Sequence, residues 1–251
     1  MVRTLLVRGL LIGLLAGLIV FGFALVFSEP LINRAIAFER HLHEMAGDAP
    51  EPEVVSRAVQ STVGLLVGVL VYSCALGGIF ALVFAYAQGR LGRIGPRGTA
   101  ALLAAGAFVV LFLVPQLKYP ASPPSIGESD TIRERTALYF VMIAGSVMGA
   151  VGALLIARRS MGRFGVWNAS LLGGAVYVVL VGAVMWVLPV IDEVPEGFPA
   201  TLLWQFRVVS LGGHILLLGT LGLVFGALTE RPVSWVMLLR RGGLRRIDTG
   251  A

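Results

Sequence analysis

Six stretches of this chain run for 20 residues or more without a single Asp, Glu, Lys or Arg: 9–28, 58–89, 98–117, 136–157, 164–191 and 208–229. A hydrocarbon core of ~30 Å is crossed by roughly 20 apolar residues in helical form. Lipid offers no partner to a backbone N–H or C=O, so such runs must satisfy themselves as helices. They lack the strict alternation of a barrel strand and are about twice as long as one. Composition agrees: 57% of residues are hydrophobic and 14% charged, with a mean hydropathy of +0.88. Soluble domains carry about 25% charged residues. The sequence therefore predicts an all-α membrane protein, a bundle of six transmembrane helices forming one integral domain over 1–251. The spans are placed at about 9–28, 63–87, 98–117, 136–157, 168–188 and 208–229.

Basic residues set the orientation. With the N-terminus cytoplasmic, that side holds Arg3, Arg8, Arg90, Arg93, Arg97, Arg158, Arg159, Arg163, Arg231, Arg240, Arg241, Arg245 and Arg246, 13 of the 20 Lys and Arg. Acids do the reverse, with only Glu230 and Asp248 inside and 12 of 14 outside. The positive-inside rule then puts both termini in the cytoplasm of a multi-pass protein of the bacterial plasma membrane. The net charge of +6 is split among short loops that meet anionic lipid, so it does not point to nucleic acid. The first run is too long for the h-region of a signal peptide and is read as an uncleaved span. Cys74 is the single cysteine and is read as a packing residue, with no intrachain disulfide possible.

The largest loop, about 29–57, opens with Glu29-Pro30, which suits a helix start. Leu31, Ala35, Phe38, Leu42 and Met45 recur at steps of four and three, an apolar stripe on a helix. An amphipathic helix over about 30–46, stopped by Gly47, is expected to lie on the outer surface or to cap the bundle. The stretch from Asp48 to Val54 is acidic and Pro-rich and reads as flexible. The later outer loops, from LVPQLKYPASPP and VLPVIDEVPEGFP, each begin with Pro at the end of a span and read as stiff, extended connections. Two inner turns echo each other, Gly92-Arg93-Ile94-Gly95 and Gly162-Arg163-Phe164-Gly165, as parallel repeats would. Glycines at i, i+4 (Gly9/Gly13/Gly17, Gly64/Gly68, Gly145/Gly149, Gly222/Gly226) are expected to let helices approach closely.

Chemistry is sparse. No P-loop, HExxH, paired-cysteine or GxSxG motif is present, and no cofactor or enzymatic activity is expected. His214 is the one histidine within a span, seven residues past Arg207 and so about 10 Å deep. Ionisable groups in a membrane are functional candidates or satisfied packing groups. His41 and His43 stand in Glu39-Arg40-His41-Leu42-His43-Glu44. On a helix the two histidines point apart, whereas Glu39/His43 and His41/Glu44 face each other and suit a divalent metal. Glu29 sits at the membrane boundary, and Asp192, Glu193 and Glu196 follow the fifth run. A ring of carboxylates at an outer mouth would concentrate cations, although acids are also simply tolerated outside. The metal candidates are Glu29, Glu39, His43 and His214, with the acidic cluster Asp192, Glu193 and Glu196.

Taken in order, RGLLIGLLAG, FALVFSEPLINRAIAFE, GRLGRIGPR, VPQLKYPASPP, RTALYF, WNAS, DEVPEGFPA and LVFGALTER resemble the CbtA-type cobalt transporter subunit family over about residues 3–232. The resemblance implies an integral membrane protein that imports cobalt for cobalamin synthesis. It also implies a small single-span partner of the CbtB type with a His-rich terminal motif. The function expected is that of a subunit of a transition-metal uptake transporter, with cobalt ion as cargo. The alternative is a non-transporting membrane scaffold that stabilises a partner subunit.

Overall fold

The computed structural model describes residues 2–47, 55–92, 94–124, 126, 127 and 130–230. The acidic stretch 48–54, Arg93 in the first inner turn, Glu128, and everything from Arg231 to the C-terminus lie outside the described residues. Among the described residues all regular structure is helical. Five helices are long and apolar enough to cross a membrane: α1 (Val2–Ala46), α2 (Arg57–Ala87), α3 (Pro96–Lys118), α4 (Ile132–Val187) and α5 (Ala200–Glu230).

Helix α4 is 56 residues long, about 84 Å at 1.5 Å per residue, far more than one crossing needs. It is interrupted at Gly165, whose φ of 74° and ψ of 168° are non-helical. Such a conformation is essentially reserved to glycine, because any Cβ would clash. The contacts on either side fold α4 back on itself. A methyl on Gly173 would lie 2.9 Å from Ala157, Gly149 faces Val181, and Gly145 faces Val184. These pairs are nearly symmetric about Gly165, the signature of an antiparallel helical hairpin.

Two prolines stand inside long helices, and each follows a π-turn. In α1 the π-turn is Ala24–Ser28, with the Glu29 N–H bonded to Ala24 O, and Pro30 comes next. In α3 it is Phe108–Leu113, with the Val114 N–H bonded to Val109 O, and Pro115 comes next. A proline ring collides with the carbonyl four residues back and brings no N–H. Shifting the register to i→i−5 moves that carbonyl aside. This corrects two expectations. Glu29-Pro30 does not open a separate helix, because α1 runs unbroken to Ala46. Pro115 does not open the second outer loop, because α3 continues to Lys118. The third outer connection is as expected: Leu188 is extended (ψ 140°) ahead of Pro189, and α4 stops there.

The contacts group the described residues into two compact units. The first comprises Met1–Gly22, Arg57–Gly106 and Ile215–Ala251. Its helices meet at small residues. The backbones of Gly9 and Gly77 are so close that a methyl on Gly9 would lie 2.3 Å from Gly77 O. Gly13 meets Ser73, and Gly222 meets Ala104. Phe225 is fully buried edge-on to Phe80 and Phe84, with ring centroids at 5.5 and 5.0 Å. The Gly64/Gly68 pair does not join in: Gly68 faces open space, and Gly64 meets only Val59 O of its own helix.

The second unit comprises Phe23–Ser56 and Ala107–His214. Leu31 and Ala35, the start of the predicted stripe, pack with Phe198 and Leu202. Phe38 continues the contact, edge-on to Phe198 at 5.1 Å. The amphipathic part of α1 thus covers protein, and Gly47 ends it in the left-handed region (φ 77°). Met45, at the far end of the stripe, is 73% exposed. A second core joins Val114, Met142 and Val181.

Candidate functional site

Within the second unit, α3, α4, α5 and two Pro-rich connections line a half-open cavity of about 510 Å³. Helix α5 contributes Arg207, Ser210 and His214 at i, i+3 and i+7, one helical face. The end of α3 brings Gln116, and the connection after it brings Tyr119 and Ser122. The first turns of α4 bring Arg135 and Tyr139, and Asp192 and Glu193 come from the segment after α4.

His214 is held from two sides. Its ring stacks on Phe112 (centroids 4.0 Å, 28°), and its Nδ1 lies 2.9 Å from Ser210 O. A carbonyl only accepts, so Nδ1 carries the proton and Nε2 is left with its lone pair. Metal-binding imidazoles are commonly oriented by such a bond on the opposite nitrogen. Gln116 Nε2 donates to Ser210 Oγ at 3.1 Å, tying α3 to the same turn of α5. The Tyr119 hydroxyl donates to Pro189 O at 2.8 Å, and desolvation raises its pKa above the ordinary value.

The charges are not equally matched. Arg135 Nε lies 3.3 Å from Glu193 Oε2, which also accepts the Thr131 hydroxyl at 3.0 Å. Asp192 is exposed. Arg207 is half-buried, and its Nε is enclosed without a hydrogen-bond partner among the described residues.

Of the candidates from the sequence, His214, Asp192 and Glu193 line this cavity. Glu29 does not; it is buried in α1 at 8% exposure. Glu39 and His43 lie toward the end of α1, with His43 exposed, and Glu196 is exposed on the last connection; none of the three lines the cavity. Among the described residues no three His, Cys, Asp or Glu side chains gather closely enough to hold a metal ion. Gln116, Tyr119, Arg135, Tyr139 and Arg207 join His214, Asp192 and Glu193 in the cavity, although they are distant along the chain. The spacing Arg207/Ser210/His214 was the one local signal for them.

The model of the family described as "Probable cobalt transporter subunit (CbtA)" matches residues 2–230. No curated protein and no solved structure matches the chain.

Proposed function

The chain belongs to the CbtA family of probable cobalt transporter subunits, and on that premise we propose that it is the multi-pass subunit of a transition-metal uptake transporter carrying cobalt. It crosses a bacterial plasma membrane six times, α4 accounting for two crossings through the turn at Gly165. Both termini and the turn at Gly165 are cytoplasmic. The family match over residues 2–230 carries this reading. The cavity supports it: a fixed imidazole with a free Nε2 stands in a polar recess of a largely apolar chain. Neutral imidazole binds borderline divalent metals and is cheaper to place in lipid than a carboxylate.

Cobalt is captured at the outward end, where Glu29, Glu39, His43, Asp192, Glu193 and Glu196 are spread, and passes to His214. Several weak sites suit transport better than one tight cage, because the ion must leave again. A single-span CbtB-type partner completes the transporter. The test is cobalt accumulation in cells carrying this chain alone, the chain with its partner, or neither. Accumulation above background only when the chain is present supports the reading. Equal accumulation in all three favours a scaffold instead.

A further inference from the structure

Arg207 lines the same cavity as His214. A guanidinium stays charged at any physiological pH, and an enclosed charge is costly unless it is matched. Here the Nε is shut away and no partner meets it among the described residues, although the side chain lines a cavity. The neighbouring charges do not supply the match. Glu193 is engaged by Arg135 and Thr131, and Asp192 is exposed. The recess thus presents a guanidinium whose Nε makes no hydrogen bond among the described residues, seven residues along α5 from the imidazole of His214. A guanidinium donates only, so an oxygen acceptor suits it.

Size points the same way. About 510 Å³ is far more than an ion occupies and falls within the range of small-molecule sites. The guanidinium fork matches a carboxylate in two parallel hydrogen bonds. His214 offers one nitrogen donor, already oriented by Ser210 and Phe112. A divalent cobalt held by one imidazole needs its other ligands from elsewhere, and a chelating carboxylate would bring them.

We propose that the cavity accepts the metal as a complex with a small polycarboxylate, Arg207 binding a carboxylate of the carrier and His214 Nε2 replacing a water on the metal. This rests on the uptake reading for its cargo, but binding is measurable without transport. The purified full-length protein in phosphatidylcholine nanodiscs would be titrated with Co²⁺ alone, citrate alone, their 1:1 complex, and inorganic phosphate. The complex should bind at least tenfold more tightly than Co²⁺, citrate or phosphate. Arg207→Gln should weaken the complex and citrate at least tenfold. His214→Ala should reduce the affinity for the complex to that for citrate alone and remove the imidazole signature from the cobalt absorption edge. Arg207→Lys keeps the charge and loses the fork, so it covers the case of an unfolded Arg207→Gln; at least a threefold weakening is expected. Binding should persist when phosphatidylglycerol is added to the nanodiscs; loss there means that Arg207 serves a lipid phosphate and overturns the proposal. So does Co²⁺ alone binding as tightly as the complex, phosphate matching it, or unchanged affinity in either Arg207 variant. Intact binding with no cellular uptake would instead reject the transport reading and leave the site standing.

Discussion

Ser146→Ala should cost this protein more than its small volume suggests, because of a proline 31 residues away. In α3 the π-register pairs Val114 N–H with Val109 O. The next carbonyl, Val110 O, would then look to residue 115, which is a proline and has no N–H to give. Ser146, fully buried on α4, donates its hydroxyl to Val110 O at 2.7 Å. Having given its proton there, Ser146 Oγ accepts from the Tyr177 hydroxyl at 2.8 Å. Alanine leaves a carbonyl orphaned where lipid and packed side chains offer no substitute. An unsatisfied buried acceptor costs about 1–3 kcal/mol, and the lost phenol bond adds roughly 0.5–1.5 kcal/mol. A total of about 1.5–4.5 kcal/mol is expected. Tyr177→Phe removes only the phenol bond and should cost about 0.5–1.5 kcal/mol. In the double variant the phenol has already lost its partner, so its cost should equal that of Ser146→Ala alone. The assay is reversible unfolding in mixed micelles across this double-mutant cycle. Additive costs, or a Ser146→Ala cost no greater than that of Tyr177→Phe, would refute the orphan-carbonyl argument.

Gly9→Ala drives a methyl to 2.3 Å from Gly77 O and should lower the same unfolding free energy by about 2 kcal/mol or more, whereas Gly68→Ala enters open space and should change it by less than about 0.5 kcal/mol. Topology is checked by cysteine labelling in a Cys74→Ala background. Glu44→Cys, exposed near the end of α1, should react with an impermeant thiol reagent on intact cells, and Arg159→Cys should not. Labelling of the Arg159 variant from outside would break the proposed orientation.

The long helices were legible because charge cannot be hidden in lipid: four of the six runs without Asp, Glu, Lys or Arg fall within one of the five long helices, and the runs 58–89 and 164–191 overrun theirs by two and four residues. The turn at Gly165 was legible too, since Gly162-Arg163-Phe164-Gly165 interrupts a long apolar stretch with a charge between glycines. The continuity of α1 was not. Glu29-Pro30 carries the signature of a helix start, and only the π-turn ahead of it, set by carbonyl register rather than by residue type, lets the helix pass through. The stripe from Leu31 showed which face would be covered, but its cover, Phe198 and Leu202, stands more than 160 residues on. The cavity was half legible. His214 stood out as an ionisable residue within an apolar run. Arg207 had served as the boundary of that run, which hid the fact that it shares a helical face with Ser210 and His214. Arg135, Tyr139 and Gln116 come from other helices, and no local pattern joins them.

The proposed part of this chain in moving cobalt across a membrane is open to direct assay. The most direct measurement is the initial rate of radioactive cobalt entry into proteoliposomes holding the purified chain with its single-span partner, compared with vesicles holding the partner alone. A saturable rate at least several-fold above the partner-only vesicles is expected. His214→Ala, incorporated at equal level and folded as judged by unfolding, should remove most of that excess. Entry at the partner-only rate with the native chain present would contradict the claim and leave it a membrane scaffold.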